Sequence, residues 1–163
     1  MRYVATGEVA LFYLDASALV KLIREERESA ALSVFLEGTD LVSCELVLTE
    51  VPRAIRRAVA LDPGLSLDPL IEQANEVLDT VATLPVDQAI LVAAGALPEA
   101  ALRALDAVHV AAALAVSPVD AFVTYDERQS AAARLAGLRT MAPAEPPAGK
   151  DKVEPGEPNR VRP

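Results

Sequence analysis

The sequence predicts an α/β fold, a short parallel sheet with helices packed on both faces. Three observations lead there. Brief, largely apolar runs (Leu11-Phe12-Tyr13-Leu14 and Ala121-Phe122-Val123-Thr124-Tyr125) have the continuous character of strands buried on both sides. Longer segments of helical spacing alternate with them. Gly, Pro and Asp gather at the junctions between the two kinds of segment.

Taken in order, Leu11 to Leu14 is a strand, followed by a helix from about Ala16 to Arg27 with Asp15 or Ser17 near its N-terminus. Glu28 to Leu36 is a second helical piece closed by Gly38, Asp40 to Cys44 a strand, and Glu45 to Ala60 a helix. Pro52 falls inside that helix. An interior proline costs about 3 kcal/mol whereas the first turn tolerates one, so the helix is expected to start near Thr49 or to bend there. Asp62-Pro63-Gly64 makes a turn. Leu67 to Val81 and Val86 to Leu97 are two more helices, split by Leu84-Pro85. Pro98 opens an Ala-rich helix to about Val116, ended by Ser117-Pro118. Ala121 to Thr124 is a strand, Glu127 to Ala136 a helix closed by Gly137, and Leu138 to Met141 a candidate last strand. No internal repeat is present.

At 163 residues the chain fits one domain with a substantial core. Its 52% hydrophobic content and positive mean hydropathy argue for a folded protein. With 4% aromatics and no Trp, the core must rest on Leu, Val and Ala. Residues 1–142 are read as the domain. Residues 143–163 hold six of the twelve prolines among charges and small residues, and are expected to form a flexible tail. No apolar stretch reaches the roughly 18 residues of a membrane span, and Glu8 interrupts any signal-peptide core. The single cysteine, Cys44, excludes an intrachain disulfide and a cysteine-based zinc cluster. The expected location is the cytoplasm. A net charge of −9 runs against nucleic-acid binding, but Arg53, Arg56 and Arg57 form a local basic group. Carboxylates gathered around bound cations would also count toward that charge.

Four acids stand where a soluble domain has little need of them. Asp15 and Asp126 each close an apolar run at a strand-to-helix junction, the end of a parallel sheet where ligands bind. Helix capping explains either one equally well, and Asp126-Glu127-Arg128-Gln129 has the spacing of a capping box. Asp106 lies on the face of Leu102 and Val110 in the most apolar helix, where an unpaired carboxylate costs several kcal/mol. The alternative is a solvent stripe on a helix whose period is slack. Glu50, with Arg53 at i+3 and Arg57 at i+7, is either a salt-bridged helix face or an acid with two guanidinium groups beside it for phosphates. Mg²⁺ and Mn²⁺ prefer carboxylate oxygens. Two such ions about 3.5–4 Å apart clamp the attacking and leaving oxygens of a phosphodiester.

Four segments, in order, carry a family likeness. Leu14-Asp15-Ala16-Ser17-Ala18-Leu19-Val20-Lys21 resembles the opening motif of PIN-domain nucleases, in particular the VapC toxins of bacterial toxin–antitoxin pairs. Thr49-Glu50-Val51 with Arg53-Ala54-Ile55-Arg56-Arg57 resembles their second acidic motif. Leu105-Asp106-Ala107-Val108-His109-Val110-Ala111 resembles the third. Val123-Thr124-Tyr125-Asp126, followed by Ala133-Arg134-Leu135-Ala136-Gly137-Leu138, resembles the fourth. The likeness runs from about Leu11 to Pro143. It implies a PIN-like three-layer α/β/α sandwich and a metal-dependent endoribonuclease, with Asp15 and Asp106 as central ligands of Mg²⁺ or Mn²⁺ and Glu50 and Asp126 completing the pocket. It also implies an RNA substrate, a homodimer, and a cognate antitoxin that lays a C-terminal segment across the active site. Pro52 and the ten residues before the first strand depart from the family pattern.

Other residues fill supporting parts. His109, the only histidine, can reach Asp106 one turn away and is read as packing or orienting rather than transferring protons. Ser17 and Thr124 can hold a water beside the first and fourth acids. Lys21, Arg53 and Arg57 are candidates for phosphate contacts, and Cys44 for the core. Two other readings stay open: a catalytically inactive PIN-like interaction module, and a housekeeping RNA-processing nuclease. An aspartyl phosphatase is disfavoured because Asp15-Ala16-Ser17 lacks a second aspartate two residues on, and a receiver domain because no paired acids stand near Leu14.

Overall fold

Two residues of β1 (Leu11–Leu14), Phe12 and Leu14, point to one side of the sheet and Tyr13 to the other. That alternation sorts the helices into layers. The computed structural model of the protein describes residues 9–145. The segment read as a flexible tail lies, from residue 146 onward, outside the described residues. After β1 come α1 (Ala16–Ile23), α2 (Ser29–Leu36), β2 (Asp40–Cys44), α3 (Val47–Leu61), α4 (Leu67–Asp79) and β3 (Ala82–Leu84). Then follow α5 (Gln88–Gly95), α6 (Ala104–Val116), β4 (Ala121–Val123), α7 (Glu127–Leu135) and β5 (Thr140–Met141).

The strands are ordered β3-β2-β1-β4-β5 and every pairing is parallel. Phe12, Leu14, Ala121 and Val123 share a core with helices α1 to α4. Tyr13, Val42, Cys44 and Phe122 share the other with α5, α6 and α7. The molecule is therefore the three-layer α/β/α sandwich expected from the sequence. The chain builds β2 and β3 on one side of β1, then returns to place β4 on its other side. Such a reversal opens a crevice at the carboxyl ends of the two strands that flank it. Here those strands are β1 and β4. The Asp15 N–H donates to the Val123 carbonyl at 3.2 Å, closing the seam between them.

The elements differ from the expectation in four places. Helix α1 stops at Ile23, with Arg24 extended (ψ 125°). The charged run Arg24 to Glu28 is compatible with helix, but Lys21 bonds Glu26 at 2.6 Å and Glu28 at 2.8 Å and draws that run back over the helix. Strand β3, an edge strand of three residues, is too short to show a pattern in the sequence. Helix α6 begins at Ala104 rather than Pro98. Seven consecutive residues, Ala107 to Ala113, are buried, and a helix buried all round has no apolar stripe to reveal its bounds. Helix α3 starts at Val47, before Thr49, and keeps Pro52 inside it. The N–H that Pro52 lacks would have met the carbonyl of Leu48, an exposed residue, so water can satisfy that oxygen. Restoring the missing bond with Pro52→Ala should raise stability by about 2 kcal/mol in urea unfolding. A lower midpoint would show that the proline is needed to seat α3.

Candidate active site

Asp15 sits at the seam of β1 and β4 and is buried, 5% exposed. It caps α1, accepting from Ala18 N–H at 3.0 Å and from the Ser17 hydroxyl at 2.7 Å on the same oxygen. Thr124, just past β4, lies 2.8 Å from its other oxygen. Capping and site chemistry are thus combined in one residue. The Thr124 hydroxyl is also 2.7 Å from Gln129 Oε1. With one proton, it donates to only one of these oxygens at a time. Burial pushes the Asp15 carboxyl above the usual range, opposed by the hydrogen bonds from the Ser17 hydroxyl and the Ala18 N–H.

Asp126 caps α7, its Oδ1 accepting from Arg128 and Gln129 N–H, each at 2.9 Å. The reciprocal half of the expected capping box is not formed. The Asp126 N–H goes to Thr124 Oγ1 at 3.1 Å, and the fully buried Gln129 side chain turns inward to the Asp106 carbonyl at 3.3 Å. Gln129 therefore ties the end of β4 to the start of α6. The sequence pointed to it only as a cap, because its inward turn depends on α6 lying alongside.

Asp106 occupies the first turn of α6, not its middle, and is half-buried. Its carboxylate has no hydrogen bond or ion pair among the described residues. Burial first, then the charges of Asp126 and Asp15, raise its pKa; Arg103 pulls the other way, and Glu50 adds to the rise. The charges of Asp126, Asp15 and Glu50 all reach this one carboxylate. The helix N-terminus partly offsets its charge.

Glu50 enters from the first turn of α3. Its partner is His109, whose Nε2–H donates to Glu50 Oε2 at 2.7 Å. The expected contact of His109 with Asp106 is not the one formed: although both lie on α6, the ring reaches across to α3. Its Nδ1 faces the Tyr13 hydroxyl at 3.0 Å, with the Cys44 sulfur at 3.6 Å. Burial disfavours the imidazolium, but hydrogen bonds to Cys44 and Glu50 outweigh it and lift the pKa to about 10. Tyr13, unnoticed in the sequence as anything but strand, is a buried prop of this chain. Pro52 leaves Glu50 in contact with the histidine.

Beside Glu50 a hollow of about 560 Å³ opens between α1 and α3, and Arg53, Arg57 and Tyr125 line it. Arg53 and Arg57 are exposed and make no ion pair among the described residues. Lys21 lines the hollow too but is engaged by two glutamates and lies 4.7 Å over the Tyr125 ring. Its expected availability for phosphates is therefore reduced.

The PIN domain family profile matches residues 12–135. The chain belongs to the PIN-domain family. It is 41% identical over 142 residues to Ribonuclease VapC35 of Mycobacterium tuberculosis, covering 83% of this chain and 98% of that protein. Ribonuclease VapC47 of the same organism is 34% identical over 139 residues (82% and 97%), and Ribonuclease VapC46 38% over 138 (83% and 100%). The fold resembles the crystal structure of M. tuberculosis VapC20, described as a Sarcin-Ricin loop cleaving toxin. The TM-score is 0.62 at 16% identity, covering 81% of this chain and 99% of that one. PAE2754 from Pyrobaculum aerophilum aligns with a TM-score of 0.55 at 21% identity, covering 77% and 87%.

PIN domains of this kind imply a divalent cation, and the donor chemistry fits one: hard carboxylate oxygens, including an Asp106 carboxylate with no partner among the described residues. Among the described residues no three His, Cys, Asp or Glu side chains are gathered closely enough to hold an ion by themselves.

The His109 pair sets a pH dependence. Because the folded pKa of about 10 exceeds the ordinary 6.5, the imidazolium stabilises the fold fully below about pH 6.5. That stability is lost as pH rises through 10. In chelator, His109→Gln should lower stability at pH 6 by about 1–3 kcal/mol, with the gap to wild type closing by pH 10 in urea titrations. A gap independent of pH would make the ring a packing element only.

Proposed function

We propose that this chain is a metal-dependent endoribonuclease that hydrolyses RNA phosphodiester bonds as the toxin of a VapBC-type toxin–antitoxin pair. One observation carries the chemistry: three carboxylates from other parts of the chain, those of Asp126, Asp15 and Glu50, all act on the partly buried Asp106. Two carboxylates 4 Å apart repel by about 4 kcal/mol at an effective dielectric of 20, so stability alone gives no reason to gather them. RNA as substrate is supported by the relatives named Ribonuclease VapC, which this chain matches over nearly their whole length.

In this reading Asp15, Asp106 and Asp126 hold Mg²⁺ or Mn²⁺, with Glu50 completing the pocket. A bound ion there supplies positive charge to the oxygens of an in-line displacement. The protein's part is positioning. Ser17 and Thr124 orient Asp15, His109 holds Glu50 by Oε2 and leaves Oε1 for a water, and Arg53 and Arg57 meet phosphates. The protein works in the cytoplasm as a homodimer until a cognate antitoxin covers the site. Among the described residues no helix is long and apolar enough to cross a membrane.

Asp15→Asn and Asp106→Asn should each abolish Mn²⁺-supported RNA cleavage while the protein stays folded; full activity in either variant sinks the assignment. Thermal melts give an independent readout. In chelator Asp106→Asn should melt above wild type, because one of four repelling charges is gone. Mn²⁺ at a hundredfold excess over its dissociation constant should stabilise wild type by about 2.7 kcal/mol and the variant far less. If Mn²⁺ shifts neither melt, an interaction module without catalysis replaces this reading.

A further inference from the structure

We propose that Gln129 is a positioning residue that fixes the spacing of Asp15, Asp106 and Asp126. The inference deepens the nuclease reading and rests on it for what that spacing serves. Gln129 lies in the first turn of α7 and is fully buried. It reaches each of the three acids by a different atom. Its backbone N–H donates to Asp126 Oδ1 at 2.9 Å. Its side-chain oxygen meets the Thr124 hydroxyl at 2.7 Å, and that hydroxyl lies 2.8 Å from Asp15 Oδ2. Its side-chain nitrogen donates to the Asp106 carbonyl at 3.3 Å. A carbonyl oxygen only accepts, so the two ends of the amide cannot be exchanged.

Packing alone gives no reason for an amide here. Glutamine is mostly a surface residue, and burying its side chain is costly unless both ends are bonded. Ala132 and Ala133 beside it on α7 are buried and apolar, and a methionine would fill the same space without that cost. What the amide adds is a link between elements.

Asp106 needs such a link. Its carboxylate has no partner among the described residues, and Arg103, the N-cap of α6, makes no side-chain cap bond. Residues 96–103, which lead into α6, belong to no helix or strand. The first turn of α6 is therefore the part that yields when the charges of Asp15 and Asp106 repel. Gln129 holds that turn to the end of β4. A displacement of about 1 Å at a reacting group is enough to cost about a hundredfold in rate, so a tether of this kind bears directly on the chemistry.

The test replaces the amide by a side chain of similar size. Gln129→Met removes both side-chain bonds and orphans nothing. Thr124 keeps Asp15, the Asp106 carbonyl keeps its helical bond, and the backbone N–H still reaches Asp126. The variant should melt within a few degrees of wild type. In chelator, hydrogen exchange at the start of α6, Ala107 to Val110, should speed at least tenfold while the amides of β1 stay unchanged. Mn²⁺ affinity, read by calorimetric titration, should fall about 10–100-fold. In cleavage of a labelled RNA at saturating Mn²⁺, kcat should fall and KM should stay, because the arginines of α3 are untouched. Ser130→Ala, which removes the next hydroxyl of α7 from Thr140, should change none of these readouts. Faster exchange spread over the whole domain, or Mn²⁺ affinity and kcat equal to wild type, overturns the proposal and leaves Gln129 a core residue. If wild type neither binds Mn²⁺ nor cleaves RNA, the nuclease reading falls instead. Exchange in chelator then decides the tether by itself: localised to α6 it holds, uniform or unchanged it does not.

Discussion

Mutual repulsion among four carboxylates is the constraint around which the rest of this domain is arranged. Each acid is delivered by a different helix N-terminus, and three of the four have donors of their own. Asp15 takes the Ala18 N–H and the Ser17 hydroxyl and shares the Thr124 hydroxyl with Gln129; Asp126 takes two N–H groups of α7; Glu50 takes the imidazole of His109. Asp106 has, among the described residues, only the field of its helix. The site is therefore graded: three acids are held by donors of the protein, and the fourth is not.

The His109 chain shows how such a site is stiffened from behind. Tyr13 is fully buried and stacks on Phe122 with ring centroids 5.2 Å apart. Its hydroxyl meets the histidine, and the histidine meets Glu50. Strand, buried helix and outer helix are linked through three side chains, so the direction of the Glu50 carboxylate is set by the sheet rather than by α3 alone. That link compensates for the hydrogen bond Pro52 removes from the same turn.

Net charge describes this molecule poorly as a binding partner. Much of its acidity is spent locally, as where Glu26 and Glu28 quench Lys21, while Arg53 and Arg57 have no ion pair among the described residues. At 0.15 M salt, charges beyond about 8 Å are screened, so local rather than net charge decides what each face attracts.

Much of the fold was legible in the sequence because its elements are punctuated by local chemistry. The apolar runs of β1 and β4, the Asp caps of α1 and α7, and Gly38 and Gly137 at positive φ after α2 and α7 each act within a few residues. Asp15 and Asp126 stood out for the same reason, since a carboxylate closing an apolar run is conspicuous without any knowledge of its neighbours; Asp106 stood out on an apolar helix face, and Glu50 only through the family likeness. Edge strand β3 and the true start of α6 were not, since one is too short and the other too uniformly apolar to carry a period. Partnerships belonged to the tertiary structure alone. His109 is three residues from Asp106 yet bonds Glu50, 59 residues away, and Gln129 turns from its cap toward α6. Spacing along a helix decides which face a side chain occupies; which group it meets there depends on how the layers pack, and no local pattern encodes that.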